Sequence, residues 1–401
     1  MSLLGYLTKA LRSYCIKRAQ RVGLITAGER GVVFMAPHPK EFEVSDGYTQ
    51  RILAIDNCFK DRPRWYIKVV KGRGNITRYG PDGTSIRLPF WHIPLLLTVV
   101  GLVWHNGLIY THSVGKIARG ADTILQYVPG VFRILDLHGL IPEELKHKGS
   151  WFFWWGVIVE RLGVRRSHCL IAVSEAMLVH IRSKYPGLRC LEIIIPIFRN
   201  NALTPETIVD LDKFFEPELQ HLPGIIYAGG IHSWQQLPRT LSAIAVQPDN
   251  LARYLILTSV PLVLSAELSS QLDQRRDIKF GTTTPEQTAA LYQFFQYGFV
   301  VREPNLVNKV ACPTKLIEYL EHGLVPIMLS PDLGDFSAFG LRFLPLEKFE
   351  QGQLMMPSEF ADAVAANRRV LQKINALRDE GLENLRMVVS KQILDRAEKH
   401  D

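Results

Sequence analysis

Apolar residues fall along this chain in short, nearly continuous runs rather than in strict alternation with polar ones. Runs at 31–36 (GVVFMA), 65–70 (WYIKVV), 108–112, 132–136, 169–173 (CLIAV) and 192–197 (EIIIPI) are rich in β-branched and aromatic residues, and helical or loop segments separate most of them. Parallel strands are covered on both faces and so lose the polar-out alternation, and the pattern predicts a doubly wound α/β domain over residues 1–197. The rhythm breaks between Phe198 and Pro223, where Asn200-Asn201, three prolines and mixed charge predict a linker. Further runs at 225–228, 254–258 (YLILT), 278–280, 297–301 and 325–329 predict a second doubly wound domain over 224–357. The tail, 358–401, has helical spacing, with Gly381 as a predicted break.

Composition agrees with two domains. A chain of 401 residues exceeds one ordinary core, and 47% hydrophobic with 21% charged residues marks a globular rather than a disordered chain. Five cysteines (15, 58, 169, 190 and 312), odd in number and without a C-x-x-C pair, argue against a zinc ribbon and for a reducing, cytoplasmic setting.

The net charge of +8 is uneven. Residues 1–28 carry Lys9, Arg12, Lys17, Arg18 and Arg21 and no acid, while Leu3, Leu4, Leu7, Ala10, Leu11 and Tyr14 recur at helical spacing on the other face. That pattern fits a helix lying in a membrane interface over anionic lipid, and equally a helix packed on its own domain. No long apolar core precedes a small-residue cleavage site, which excludes a signal peptide of ordinary form. Nucleic acid is not an expected partner, because the basic residues do not interleave with aromatics. Arg87 to Lys116 encloses no formal charge, but Pro94 and the Asn106-Gly107 pair divide it into a buried helix and a strand rather than a membrane span. The WFFWW run at 151–155, followed by Arg161, Arg165 and Arg166, suits a membrane interface or an inter-helix core.

Candidate chemistry concentrates in Arg302–Gly323, REPNLVNKVACPTKLIEYLEHG. A strand ending near Val301 leads to Pro313-Thr314, which opens a helix with apolar residues at 316, 317 and 320 and Gly323 as its stop. Free N–H groups at such a helix start attract anions, and Arg302 and Lys315 add two cations. Glu318 lies too far inside to cap the helix and can accept hydrogen bonds from vicinal hydroxyls, as on a ribose. An i, i+3 surface pair of Lys315 with Glu318 is the alternative.

The segment resembles the donor-binding part of family 4 glycosyltransferases, in particular bacterial surface-polysaccharide members with an RE(D/P)…N…P-K-x-x-E-Y-x-x-x-G pattern. Ile134–Glu144 (ILDLHGLIPEE), Ile171–Pro186 (IAVSEAMLVHIRSKYP) and Ile225–Gln235 (IIYAGGIHSWQ) match the same family in order, and DGYTQR at 46–51 matches its first strand-to-helix loop. The resemblance implies the GT-B architecture, with two Rossmann-like domains facing across a cleft and a last helix crossing back to the first. It implies a retaining, metal-independent, hexosyltransferase-type enzyme. The co-substrate would be a UDP- or GDP-linked sugar, with no other cofactor. The acceptor would be a lipid-linked or growing surface glycan such as capsule, O-antigen or exopolysaccharide, met at the inner face of the plasma membrane.

On the matching positions, Gly229, Gly230, Asn308, Thr314, Lys315 and Glu318 would bind the donor, and Arg302 and Lys315 would neutralise the departing diphosphate. His138 would lie beside the donor sugar and act with these cations in catalysis. Asp46, Gly47, Asp136, Glu143 and Glu144 would serve the acceptor side or orient His138, and His112 is a lesser candidate. Many members carry two glutamates eight positions apart, the second matching Glu318; the first position is Val310 here, and Glu303 or Asn308 is expected to stand in. The only D-x-D, Asp210 to Asp212, falls in the linker, and no catalytic metal is expected. An epimerase on the same scaffold, or a non-catalytic membrane-associated subunit, would share many of these features.

Overall fold

The computed structural model describes residues 3–26, 28–41, 47–116, 121–198, 210–231, 233–258, 260, 262 and 264–398. The chain divides into two compact units, Met1–Arg199 with Leu377–Asp401, and Asn200–Ala376. The chain passes between the units twice, after Arg199, where 199–209 lie outside the described residues, and after Ala376, within helix Pro357–Glu398.

The first unit is built on an eight-stranded sheet. Its strands are β1 (Val32–Met35), β2 (Arg64–Val70), β3 (Asn75–Arg78), β4 (Thr84–Pro89), β5 (Leu108–His112), β6 (Phe132–Leu137), β7 (Cys169–Ala172) and β8 (Leu191–Ile194), in spatial order β3-β4-β2-β1-β5-β6-β7-β8. Every pairing is parallel except β3 with β4. Strands β1, β5 and β7 are buried throughout, which explains why they read as uninterrupted apolar runs.

Helix Leu3–Arg21 docks against helix Ile93–Asn106. Cys15 and Ala19 enter the core, Arg18 donates from Nε to Pro94 O (2.8 Å) and Thr98 Oγ1 (3.1 Å), and a Cβ on Gly101 would strike the Cys15 backbone. The other face leaves Tyr6, Leu7, Leu11 and Tyr14 exposed. The N-terminal helix is therefore packed on its own unit and also presents an apolar flank. Ile93–Asn106 is a buried helix ended by Gly107 in the left-handed conformation (φ 69°), and none of the described helices is long and apolar enough to cross a membrane. The WFFWW run is not an inter-helix core: Trp151 and Trp154 are 77% and 68% exposed, and Phe152, Trp155 and Ile158 are exposed beside them.

The second unit has six strands, β9 (Gly224–Gly229), β10 (Arg253–Thr258), β11 (Ile278–Gly281), β12 (Tyr297–Phe299), β13 (Val325–Met328) and β14 (Leu344–Pro345), all parallel in order β11-β10-β9-β12-β13-β14. Ile225, Tyr254, Ile256, Phe299 and Ile327 fill its core.

One expectation is corrected. The C-terminal helix runs unbroken from Pro357 to Glu398, through Gly381. The glycine serves close approach instead: a Cβ there would collide with the carbonyl oxygen of Ile194 at the end of β8, so only Gly lets the helix lie on the sheet edge.

Candidate functional site

In the second unit the chemistry gathers where β9 and β12 end. Tyr227 on β9 is held with its hydroxyl 2.5 Å from Gly230 O and 2.7 Å from Gln235 Oε1, and Lys315, in the first turn of helix Thr314–Glu321, lies with Nζ 3.7 Å from the Tyr227 ring centroid. The ring face replaces part of the water the ammonium has lost. Gly229 makes this approach possible, because a Cβ there would sit 2.6 Å from Lys315 Nζ. Burial lowers the Lys315 pKa well below the ordinary lysine value; Arg302 lowers it further, and Glu318 opposes them. Burial also brings Arg302 down to about 10. Two cations held close at a cost in solvation are an arrangement that an anion stabilises.

Arg302 is aimed by Asn308, whose Oδ1 accepts from Nη1 at 3.1 Å. Asn308 is itself fixed: Nδ2 donates to Glu303 O (2.9 Å), and its backbone N–H donates to the Asn305 side chain (3.0 Å), which caps helix Leu306–Lys309. Asn308 is thus buried and positions Arg302, while the Glu303 carboxylate accepts from Gln236 Nε2 at 2.9 Å. Val310 is buried at 3% exposure, an apolar place that would penalise a carboxylate. Glu318 accepts from the Tyr292 hydroxyl at 3.1 Å, and Tyr292 packs edge-on to Tyr319. Tyr227 and Tyr292 are not among the residues that the sequence singles out, and Tyr227 falls in the strand run 225–228.

The first unit holds a second constellation around Asp136, which is wholly buried on β6. Arg51, from helix Gly47–Asn57, grips it with two bonds (Nη2 to Oδ1 2.9 Å, Nε to Oδ2 3.1 Å) and also donates to the carbonyl of Ile195 at 2.5 Å. Tyr110 donates to Oδ2 at 2.8 Å, His138 Nε2 lies 3.2 Å away, and His112, the register partner of Asp136 on β5, brings Nδ1 to 3.6 Å. Burial alone would raise the Asp136 pKa, but Arg51 and then His138 hold it well below the usual carboxylate range. His138 Nε2 lies 3.2 Å from Asp136 Oδ2 and 3.3 Å from His112 Nδ1, so the tautomers of the two rings together set which nitrogen of His138 carries the proton. His138 Nδ1 is buried and has no hydrogen-bond partner among the described residues.

His112, Asp136 and His138 place possible ligand atoms within 4.8 Å of one another, close enough to consider a metal ion. The guanidinium already seated on both Asp136 oxygens opposes a second cation there. Asp210 and Asp212 form a turn instead, with Asp210 Oδ1 accepting from the Asp212 N–H at 3.0 Å.

The remaining acceptor-side candidates separate. Asp46 lies outside the described residues, and Gly47 opens helix Gly47–Asn57. Glu144 reaches the His138 neighbourhood, since a Cβ on Gly139 would strike its Oε1, and burial raises its pKa. Glu143 joins a different cluster, with Lys184 Nζ at 2.6 Å and the same ammonium 2.5 Å from buried Glu160. Burial would raise Glu143, but His180 and Lys184 lower it to about 2. Arg51 was missed as a functional residue although it ends the DGYTQR segment; its partner is 85 positions away.

No protein-family model matches the sequence, and no curated protein matches it. Solved structures do. Sucrose-phosphate synthase from Thermosynechococcus elongatus aligns over 92% of this chain and 100% of its own at 14% identity and TM-score 0.60. The Anabaena protein HepE, in complex with UDP and glucose, aligns over 88% and 98% at 14% identity and TM-score 0.58. α,α-Trehalose 6-phosphate synthase from Burkholderia multivorans aligns over 92% and 98% at 11% identity and TM-score 0.61. Likeness at these identities is likeness of fold: the chain is an α/β protein of two parallel-sheet domains that matches glycosyltransferases of GT-B architecture.

Proposed function

We propose that this chain is a retaining, metal-independent glycosyltransferase of the family 4 kind, which moves a hexose from a UDP- or GDP-linked donor to a lipid-linked or growing surface glycan. The observation that carries the reading is the pair Lys315 and Arg302, two half-buried cations at a strand-to-helix junction with Glu318 one turn on. Breaking a glycosyl-phosphate bond leaves a diphosphate whose charge grows in the transition state, and fixed cations in a dry site stabilise that charge most. Lys315 and Arg302 would hold the phosphates, with the backbone at Gly229 and Gly230 and the helix start at Thr314 offering close approach. Glu318 would accept from the ribose hydroxyls, with Tyr292 fixing its orientation.

His138 would lie beside the donor sugar, with its Nε2 against the Asp136 carboxylate that Arg51 and Tyr110 would fix. The exposed aromatics at 151–155, followed by Arg161, Arg165 and Arg166, and the apolar flank of Leu3–Arg21 suit a protein at the cytoplasmic face of a membrane, where a lipid-linked acceptor resides. A sugar phosphate is the second reading of the acceptor, because two similar structures are named as sugar-phosphate synthases. The test offers UDP-, GDP- and ADP-sugars with bacterial lipid extract or with hexose phosphates, and follows nucleotide release and the anomeric configuration of the product. Transfer to lipid-linked acceptor with retention supports the proposal. Transfer to hexose phosphate alone moves the acceptor to the second reading, and release of no nucleotide from any donor overturns the enzyme assignment.

A further inference from the structure

Helix Phe153–Arg166 is seated firmly on the first unit by its inward side, where Gly156, Val159, Glu160, Gly163 and Val164 are buried. A Cβ on Gly156 would press on Leu145 and Pro142 of helix Ile141–His147, and Glu160 accepts from the Tyr185 hydroxyl at 2.7 Å and pairs with Lys184 Nζ at 2.5 Å. A helix held this way cannot roll to hide its other side. That side is one stripe: Trp151 just ahead of the helix, then Trp154, Ile158, Arg161 and Arg165, spaced alternately by three and four residues and all exposed. The stripe is apolar in its first turns and cationic in its last. Between Leu145 and Arg166 the exposed Lys and Arg residues meet no exposed acid, because Glu160 is buried. Arg166 stacks on the exposed Tyr127 ring at 3.8 Å, which widens the patch.

We propose that this face docks on an anionic bilayer, with Trp151, Phe152, Trp154 and Ile158 in the boundary between headgroups and acyl chains and Arg161 and Arg165 against lipid phosphates. Trp has an apolar body with a polar edge and favours that depth, and a guanidinium matches a phosphate with two parallel hydrogen bonds. Trp154 and Arg165 are about 16 Å apart along the helix axis, so the helix enters obliquely, aromatic end first. Charge decides between a bilayer and a second copy of this chain. In a self-complementary pair each copy brings its own arginines and no acid to neutralise them, whereas anionic headgroups supply the missing charge. The chain runs from His138 and Gly139 directly into helix Ile141–His147, on which helix Phe153–Arg166 packs, so a docked bilayer lies one helix from the candidate site of the first unit. The inference rests on the membrane placement proposed above and deepens it by naming the docking face and the lipid charge; it needs no sugar transfer.

The test measures co-sedimentation of the full chain with vesicles of phosphatidylcholine alone and of equimolar phosphatidylcholine and phosphatidylglycerol, beside sedimentation velocity without lipid. The variants are Trp151→Ser with Trp154→Ser, and Arg161→Gln with Arg165→Gln; these side chains are exposed, so their loss leaves the fold intact. Calorimetric titration of UDP into the same proteins reads the donor site separately. Binding to the mixed vesicles and not to phosphatidylcholine, weakened by about tenfold or more in each double variant, supports the docking face. No binding to the mixed vesicles, equal binding to both kinds, or binding that either double variant leaves unchanged overturns it. A solution dimer that the tryptophan variant dissociates, without vesicle binding, overturns it in favour of self-association. UDP binding without vesicle binding defeats this inference alone, and vesicle binding without UDP binding counts against the donor site alone.

Discussion

Lys315→Met separates the function of the cation pair from its structural cost. The ammonium gains the Tyr227 ring at 3.7 Å, a contact of about 1–2 kcal/mol when desolvated, but the side chain is half-buried and near Arg302, and both desolvation and that neighbour disfavour its charge. The sign follows from the lowered pKa. Below that lowered value the unliganded fold carries a charge it disfavours, and stability rises as pH climbs through it toward the ordinary lysine value of about 10.4. Methionine keeps much of the stem volume and removes the charge, so the melting temperature of the unliganded variant should equal or exceed that of wild type, and its stability should lack the alkaline rise. Nucleoside diphosphate affinity should fall by about 1.5–3 kcal/mol, or roughly 10- to 150-fold, for the loss of one charge-assisted contact. Thermal unfolding against pH, paired with calorimetric titration of UDP and GDP, measures both. A variant that melts well below wild type yet binds nucleotide equally well would refute the reasoning and make Lys315 a packing residue.

Three other perturbations test the framework. Asp136→Ala strands the fully buried Arg51 guanidinium and should cost about 3–5 kcal/mol in urea unfolding, against less than about 1 kcal/mol if the cluster is incidental. Gly381→Ala drives a Cβ into the Ile194 carbonyl and should destabilise by about 1–3 kcal/mol, although the same change at an ordinary mid-helix glycine would stabilise. Glu143, lowered to about 2, stabilises fully above its unfolded value near 4.5 and loses that contribution as pH falls from there through about 2; Glu143→Gln should flatten acid unfolding in this window, and an unchanged profile would remove the Lys184 contact from the account.

What was legible follows from local and distant physics. Buried parallel strands such as Ile225–Ala228 and Leu108–His112 announce themselves by composition, because both faces meet protein. Strand β3 did not, since three of its four residues are polar, none is buried, and it pairs only at the sheet edge. Gly381 misled because a glycine required by close packing and one that ends a helix look identical in sequence. In the second unit, Arg302, Asn308, Lys315 and Glu318 lie within one segment, so spacing alone brings them together. The Asp136 cluster draws Arg51 from a helix and Tyr110 and His112 from β5, and only the β5–β6 register and the docking of helix Gly47–Asn57 make them neighbours of Asp136.

Nucleotide binding by the second unit is the central claim, and calorimetric titration of UDP, GDP and ADP into wild type and Glu318→Ala tests it most directly. The account predicts saturable binding of one diphosphate, weakened by about 1.5–3 kcal/mol in Glu318→Ala for loss of the ribose contacts. No binding of any nucleotide, or an affinity the substitution leaves untouched, would contradict it.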